Sequence, residues 1–118
     1  MRIDIVLEDI GRELSAAGLA LAGGNEGKAR VCARRAAGKA IGWRLSQSDN
    51  KPPTGDAVAL LRELSRDAAV PGDVRDAAGR LSSRISGDFS YSPPFSALND
   101  ARAIVAFCVP QEGGDDVC

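Results

Sequence analysis

Histidine is absent from this sequence, and aromatic residues are scarce. None of its 118 residues is a histidine, and Phe, Trp and Tyr together make up 4% of the chain. Imidazole is the side chain that most readily gives and takes protons near neutral pH, and it is a common zinc ligand. These absences argue against histidine-dependent catalysis and against the usual Cys/His metal sites. The sequence therefore predicts no catalytic residue, no metal and no cofactor.

Long hydrophobic runs and paired cysteines are also missing. No stretch of about 18 uncharged apolar residues occurs, which argues against a membrane span. The first residues, MRIDIVLEDIGREL, place acids where a signal peptide has a basic segment and an apolar block. The cysteines are odd in number, with no CxxC pair, and Cys32 and Cys108 fall among apolar residues at helical spacing. We expect a cytoplasmic protein with buried thiols.

Apolar residues recur every three or four positions in five segments, and no segment alternates as a β-strand does. The first of these stripes extends from Ile3 to Leu21. The length suits one domain, which we place at residues 1–109, followed by a polar and flexible tail at 110–118. The pattern predicts an all-α fold, an antiparallel up-and-down bundle of about five helices.

Helix boundaries follow from capping residues and helix breakers. Gly23 and Gly24 end the first helix, and Asn25 caps a second helix that runs to about Leu45. The third helix is predicted to have its cap at Thr54 and Asp56 in its first turn. Pro71 is predicted to lie within the first turn of the fourth helix. The fifth helix is predicted to begin at Ser96 and to end at Pro110.

The second helix carries a concentration of positive charge. From residue 28 to residue 48 there is no Asp or Glu, although the net charge of the whole chain is −1. A phosphate, an RNA or an acidic partner could bind there, with Arg30, Arg34, Arg35 and Lys39 as the candidate ligands. Alternatively, these side chains border the core on two flanks and are solvated or paired with acids of the first helix, namely Glu8, Asp9 and Glu13. The split into two flanks favours the second interpretation.

A second candidate surface is the aromatic loop GDFSYSPP at residues 87–94. Arg84 and Tyr91 are the residues that we expect to contact a base or a partner chain there, while Phe89 and Phe95 fill the end of the bundle. The carboxylate pairs, such as Asp73 with Asp76, lie early in their helices and are explained by the helix dipole. An enzyme with unrecognised acid–base groups remains a third alternative.

Three segments resemble the HEPN family (higher eukaryotes and prokaryotes nucleotide-binding), whose members are small helical bundles. ARVCARRAAGKAI at 29–41 resembles the family's alanine-rich second helix. TGDAVALLREL at 54–64 is similar to its T-H-D-L-x-x-L-L helix opening, with Gly55 in the place of the histidine. SSRISGDFSYSPPFSALNDARAIVAF at 82–107 resembles its proline-bearing aromatic loop and final helix.

The resemblance implies a function in association with other molecules. Many HEPN proteins are ribonucleases that use an Arg followed four to six residues later by a His, and this chain has no histidine. It is therefore expected to be a non-catalytic member that forms a homodimer and associates with a partner such as a nucleotidyltransferase, as in two-protein toxin–antitoxin modules. A bound nucleotide is a further expectation of the resemblance.

Overall fold

The chain folds as a bundle of helices. The computed structural model describes residues 3–49, 56–83 and 96–109, and contains no strand in these ranges. The predicted all-α bundle is therefore confirmed. Among the helices described, none is both long enough and apolar enough to cross a membrane. The helices are α1 (Ile3–Ala22), α2 (Glu26–Asp49), α3 (Ala57–Arg66), α4 (Gly72–Ser82) and α5 (Ala97–Cys108).

A tight turn joins α1 to α2 and makes them an antiparallel pair. Gly24 adopts a left-handed backbone with φ of 81°, which only glycine takes without steric cost. The amide of Gly24 donates to Leu21 O and the amide of Asn25 donates to Ala20 O, so the last carbonyls of α1 are satisfied as in a Schellman motif. Asn25 also caps α2, because its Oδ1 accepts from the amide of Lys28 at 3.0 Å. The predicted helix end and cap are confirmed.

The starts of the other helices agree with the sequence to within a residue or two. Helix α5 begins near Ser96, as predicted, with Ser96 as a cap that accepts from the amide of Asn99, and Pro71 is the N-cap of α4 rather than part of its first turn. Asp56 was expected inside α3 but is its N-cap, with its carboxylate accepting from the amide of Ala59 at 2.9 Å. Helix α2 continues four residues beyond Leu45, because no breaker precedes Pro52. Thr54 and Pro110 lie outside the described residues.

Helix α2 is the centre of the bundle and contacts all four other helices. Small side chains make this possible, since a helix surface of alanine lets neighbouring backbones approach closely. The large side chains of the core come from the neighbouring helices, and Leu61, Leu81 and Ile104 among them are fully buried. The buried alanines of α2 are Ala29, Ala33, Ala36, Ala37 and Ala40.

The stripe predicted for α1 is buried or half-buried except at its end. Val6, Ile10 and Ala17 are in the core, as expected, but Leu21 is 38% exposed, and Ala20 is buried instead. The turn begins two residues after Leu21, and the residues of α2 nearest this turn are themselves exposed. The helical period alone does not show where the partner surface stops.

Gly38 marks the closest approach between α2 and α3. A Cβ placed on Gly38 would lie 2.9 Å from Ala57 Cβ and 3.2 Å from Ala57 Cα.

We expect Gly38→Ala to lower the free energy of unfolding by about 1 to 2 kcal/mol, because α3 must move away from α2. Urea denaturation measures the change. Gly11 is the control, since its Cβ would meet nothing within 4 Å and Gly11→Ala is expected to stabilise by about 0.5 to 1 kcal/mol. Equal effects at both positions would contradict the steric argument.

Candidate anion-binding groove

The six cations of the basic stretch divide into two groups. Arg30, Arg34 and Arg44 are buried or half-buried and contact other parts of the bundle, whereas Lys28, Arg35 and Lys39 are exposed. At 100° per residue, the three exposed cations lie within an arc of about 40° on one face of α2. The two flanks expected from the sequence therefore have different environments, one structural and one open to solvent.

Arg30 and Arg34 bind the C-terminal end of α4. Arg30 is only 5% exposed, and its Nη2 donates to Ser83 O at 2.6 Å and to Arg80 O at 3.2 Å. Arg34 donates from Nε to Leu81 O at 2.7 Å and from Nη2 to Ser83 O at 2.9 Å. The last carbonyls of a helix lack intrahelical partners and carry partial negative charge, so cations are favourable there. These two candidate ligands thus have a structural role in the bundle.

Arg44 also contacts a neighbouring helix. Its guanidinium carbon lies 4.8 Å from the centroid of the Phe107 ring of α5, within the range of a cation–π contact. Burial raises the pKa of the Cys108 thiol to about 11, and Arg44 has the smaller, opposite effect of lowering it. Cys108 is therefore protonated at neutral pH and is a poor nucleophile.

Arg35 and Lys39 line an open groove between α1, α2 and the first turn of α3. Its volume is about 420 Å³, and Glu13 of α1 completes its charged lining. The remaining lining is apolar, from Gly38, Ala57 and Leu60. Because Gly38 has no side chain, α3 packs directly against α2 at this point and forms one wall of the groove.

The cations of the groove have no acidic partner within ion-pair distance among the described residues. Of the three acids that could neutralise one flank of α2, Glu8 and Asp9 pair with Arg12, with Nη2–oxygen distances of 3.9 and 3.1 Å. Arg12 lies one turn away from both acids on the same helix, so these two acids have a nearer cation than those of α2. Glu13 lines the same groove as Arg35 and Lys39. Within the residues that the structure describes, it forms no ion pair with either of them.

The buried ionisable groups elsewhere are held in structural contacts. Asp100 is 4% exposed and forms two hydrogen bonds with Arg80, from Nε at 3.0 Å and from Nη2 at 2.9 Å. Cys32 and Cys108 are buried, as expected. Within residues 3–49, 56–83 and 96–109, no three His, Cys, Asp or Glu side chains are grouped so that they could hold a metal ion.

The sequence indicated part of this site and missed the rest. Arg35 and Lys39 were candidate residues, and the structure brings them together in one groove, while Arg30 and Arg34 point to another helix. Gly38 and the α3 wall were not predicted, although a glycine within an alanine-rich helix is a signal of close packing. The other candidates, Arg84 and Tyr91, lie outside the described residues, as do Phe89 and Phe95.

Comparisons of the chain with protein-family models, with curated proteins and with solved structures gave no match. The resemblance to the HEPN family therefore stays a prediction.

Proposed function

We propose that this chain is a non-catalytic helical module that binds the phosphate group of a small ligand, such as a nucleotide, in the groove between α1, α2 and α3. The observation that carries the proposal is the placement of Arg35 and Lys39, two exposed cations that line one groove without an ion-pair partner in the described parts of the chain. The absence of histidine from the sequence supports a binding function over a ribonuclease function.

The two cations suit a phosphate group by their chemistry and spacing. A guanidinium presents donors in a planar fork that matches phosphate oxygens, and an ammonium adds a mobile point charge. Residues four apart lie about 6 Å from one another along a helix and on the same face, so both side chains can reach one phosphate. The N-terminal end of α3 adds little positive potential, since the carboxylate of Asp56 already caps it.

Replacing Arg35 and Lys39 together by alanine is expected to weaken AMP binding about tenfold at low salt. Each cation contributes a charge-assisted hydrogen bond, and neither side chain is needed for the core. Isothermal titration calorimetry at two salt concentrations measures the change. The wild type is expected to lose affinity as salt rises, and the double variant to lose less.

The matched control is Arg66→Ala with Arg102→Ala, which removes two exposed cations from α3 and α5 outside the groove. This variant is expected to bind AMP as the wild type does. Equal losses in both double variants would indicate a general charge effect and contradict the proposed site. A single-stranded RNA serves as a second probe: tighter binding of RNA than of AMP would favour the alternative of an RNA-binding surface on α2.

A second candidate function is association with protein, as a homodimer and with a partner such as a nucleotidyltransferase. The supporting observation is the exposure of large apolar side chains on the α1–α2 pair, where Leu19 is 76% exposed and Val31 is 44% exposed. Exposed apolar surface favours burial against another chain. The identity of the partner rests on the HEPN resemblance alone.

Size-exclusion chromatography with light scattering tests the homodimer. At tens of micromolar the wild type is expected to have the mass of a dimer, and Leu19→Asp combined with Val31→Asp to have that of a monomer. Ala103→Asp is the control, since residue 103 is exposed on α5. A wild type that is strictly monomeric at this concentration would contradict the candidate function.

A further inference from the structure

We infer that Glu13 determines the specificity of the groove, so that it accepts a ligand with one phosphate group and discriminates against a polyphosphate. This inference rests on the proposed function and deepens it. Among the described residues, two positive side chains and one negative side chain line the groove. A phosphate monoester carries about two negative charges at neutral pH, and a polyphosphate carries more, so a polyphosphate is repelled more strongly by the Glu13 carboxylate.

The position of Glu13 is fixed by the packing of α1. Ile10, three residues before it, is 2% exposed, and Ala17, four residues after it, is fully buried. Both are held in the core, so the backbone that carries Glu13 cannot move away from α2. The side chain of Glu13 consequently remains part of the lining that an anion meets when it contacts Arg35 and Lys39.

Glu13 also offers a favourable contact to the right ligand. An ionised carboxylate only accepts hydrogen bonds, and it can take two or more. A ligand with one phosphate group and a separate group of donors satisfies both parts of the lining: the phosphate contacts the cations, and hydroxyl or amino groups contact Glu13. A nucleoside monophosphate has this arrangement, with its phosphate at one end and ribose hydroxyls further along. The groove volume, about 420 Å³, lies within the range of small-molecule sites.

Coulomb repulsion sets the size of the expected discrimination. Removal of one negative charge benefits each ligand in proportion to the ligand's own charge, so ATP gains more than AMP. The repulsion is partly screened by salt in a groove that is open to water, so the effect is largest at low ionic strength. We expect Glu13→Gln to shift the ratio of AMP affinity to ATP affinity about fivefold toward ATP.

The experiment compares AMP and ATP by isothermal titration calorimetry at low salt and without Mg²⁺, so that ATP keeps its full charge. Glu13→Asp keeps the carboxylate and is expected to keep the wild-type ratio of affinities. Asp76→Asn removes one exposed acid from α4, which does not line the groove, and is also expected to leave the ratio unchanged.

The possible results separate this inference from the proposed function. If both nucleotides bind and Glu13→Gln leaves their ratio at the wild-type value, the role of Glu13 is overturned while the groove stands as a phosphate site. If neither nucleotide binds the wild type, the proposed function and this inference are both overturned. A shift of the ratio in Glu13→Gln alone supports both.

Discussion

Asp100→Ala is expected to lower the free energy of unfolding by about 3 kcal/mol. The side chain of Asp100 is 5% exposed and forms a bidentate ion pair with Arg80, which links the first turn of α5 to the last turn of α4. Removal of Asp100 takes the bidentate ion pair away from the Arg80 guanidinium in a place that water reaches poorly. Changes of this kind cost about 3 to 5 kcal/mol when both groups are buried. We expect a loss at the lower end of this range, because the side chain of Arg80 is 33% exposed.

Asp73→Ala is the matched control for this measurement. Asp73 also lies in the first turn of a helix, α4, but it is exposed and no hydrogen bond or ion pair holds its side chain among the described residues. Its favourable interaction with the helix dipole is worth about 0.3 to 1 kcal/mol. Urea denaturation of both variants separates the buried pair from the dipole effect. Equal losses of stability would contradict a specific contribution from the Arg80–Asp100 pair.

The elements that the sequence predicts well are those set by local chemistry. Helical spacing of apolar residues shows the buried stripes, and a side-chain oxygen before the first turn shows the start of a helix, as at Asn25 and Ser96. Gly24 marks the end of α1, because the left-handed backbone there favours glycine. Each of these signals lies within a few residues of the feature that it predicts.

The features that the sequence does not predict depend on contacts between distant segments. Asp100 lies on the same side of α5 as the buried Ile104, four residues later. This spacing was a signal that the carboxylate of Asp100 is buried. Its partner Arg80 is 20 residues away in sequence, and no periodicity identifies it. The groove likewise requires the position of the first turn of α3 against Gly38, which only the packed bundle gives.

The same limit explains the mixed result for the basic helix. The sequence separates the cations into two flanks of an alanine-rich arc, but the flanks look alike in composition. The bundle distinguishes them, because one flank meets the carbonyl end of α4 and the other faces solvent beside α3. A run of cations in one helix can therefore combine a structural flank with a solvent-exposed flank, and stability measurements distinguish the two.

Arg30→Ala is accordingly expected to lower the free energy of unfolding by about 2 to 3 kcal/mol, whereas Arg35→Ala changes it by less than about 0.5 kcal/mol. Arg30 is almost fully buried, and its loss removes two hydrogen bonds to the carbonyls of Arg80 and Ser83 at the end of α4. A hydrogen bond from a charged donor is worth about 1.5 to 3 kcal/mol, and the loss of these two is partly offset because Arg34 still donates to Ser83 O.

The two variants remove the same side chain from the same helix, five residues apart, so helix propensity and net charge change equally. Thermal and urea denaturation of both therefore report only the difference in environment. Arg30→Lys is expected to recover little of the loss, since an ammonium on a shorter side chain cannot match the reach of the guanidinium to two carbonyls. If Arg35→Ala proved as destabilising as Arg30→Ala, the exposed flank would also be structural, and the groove would lose the free cations on which the proposed phosphate binding depends.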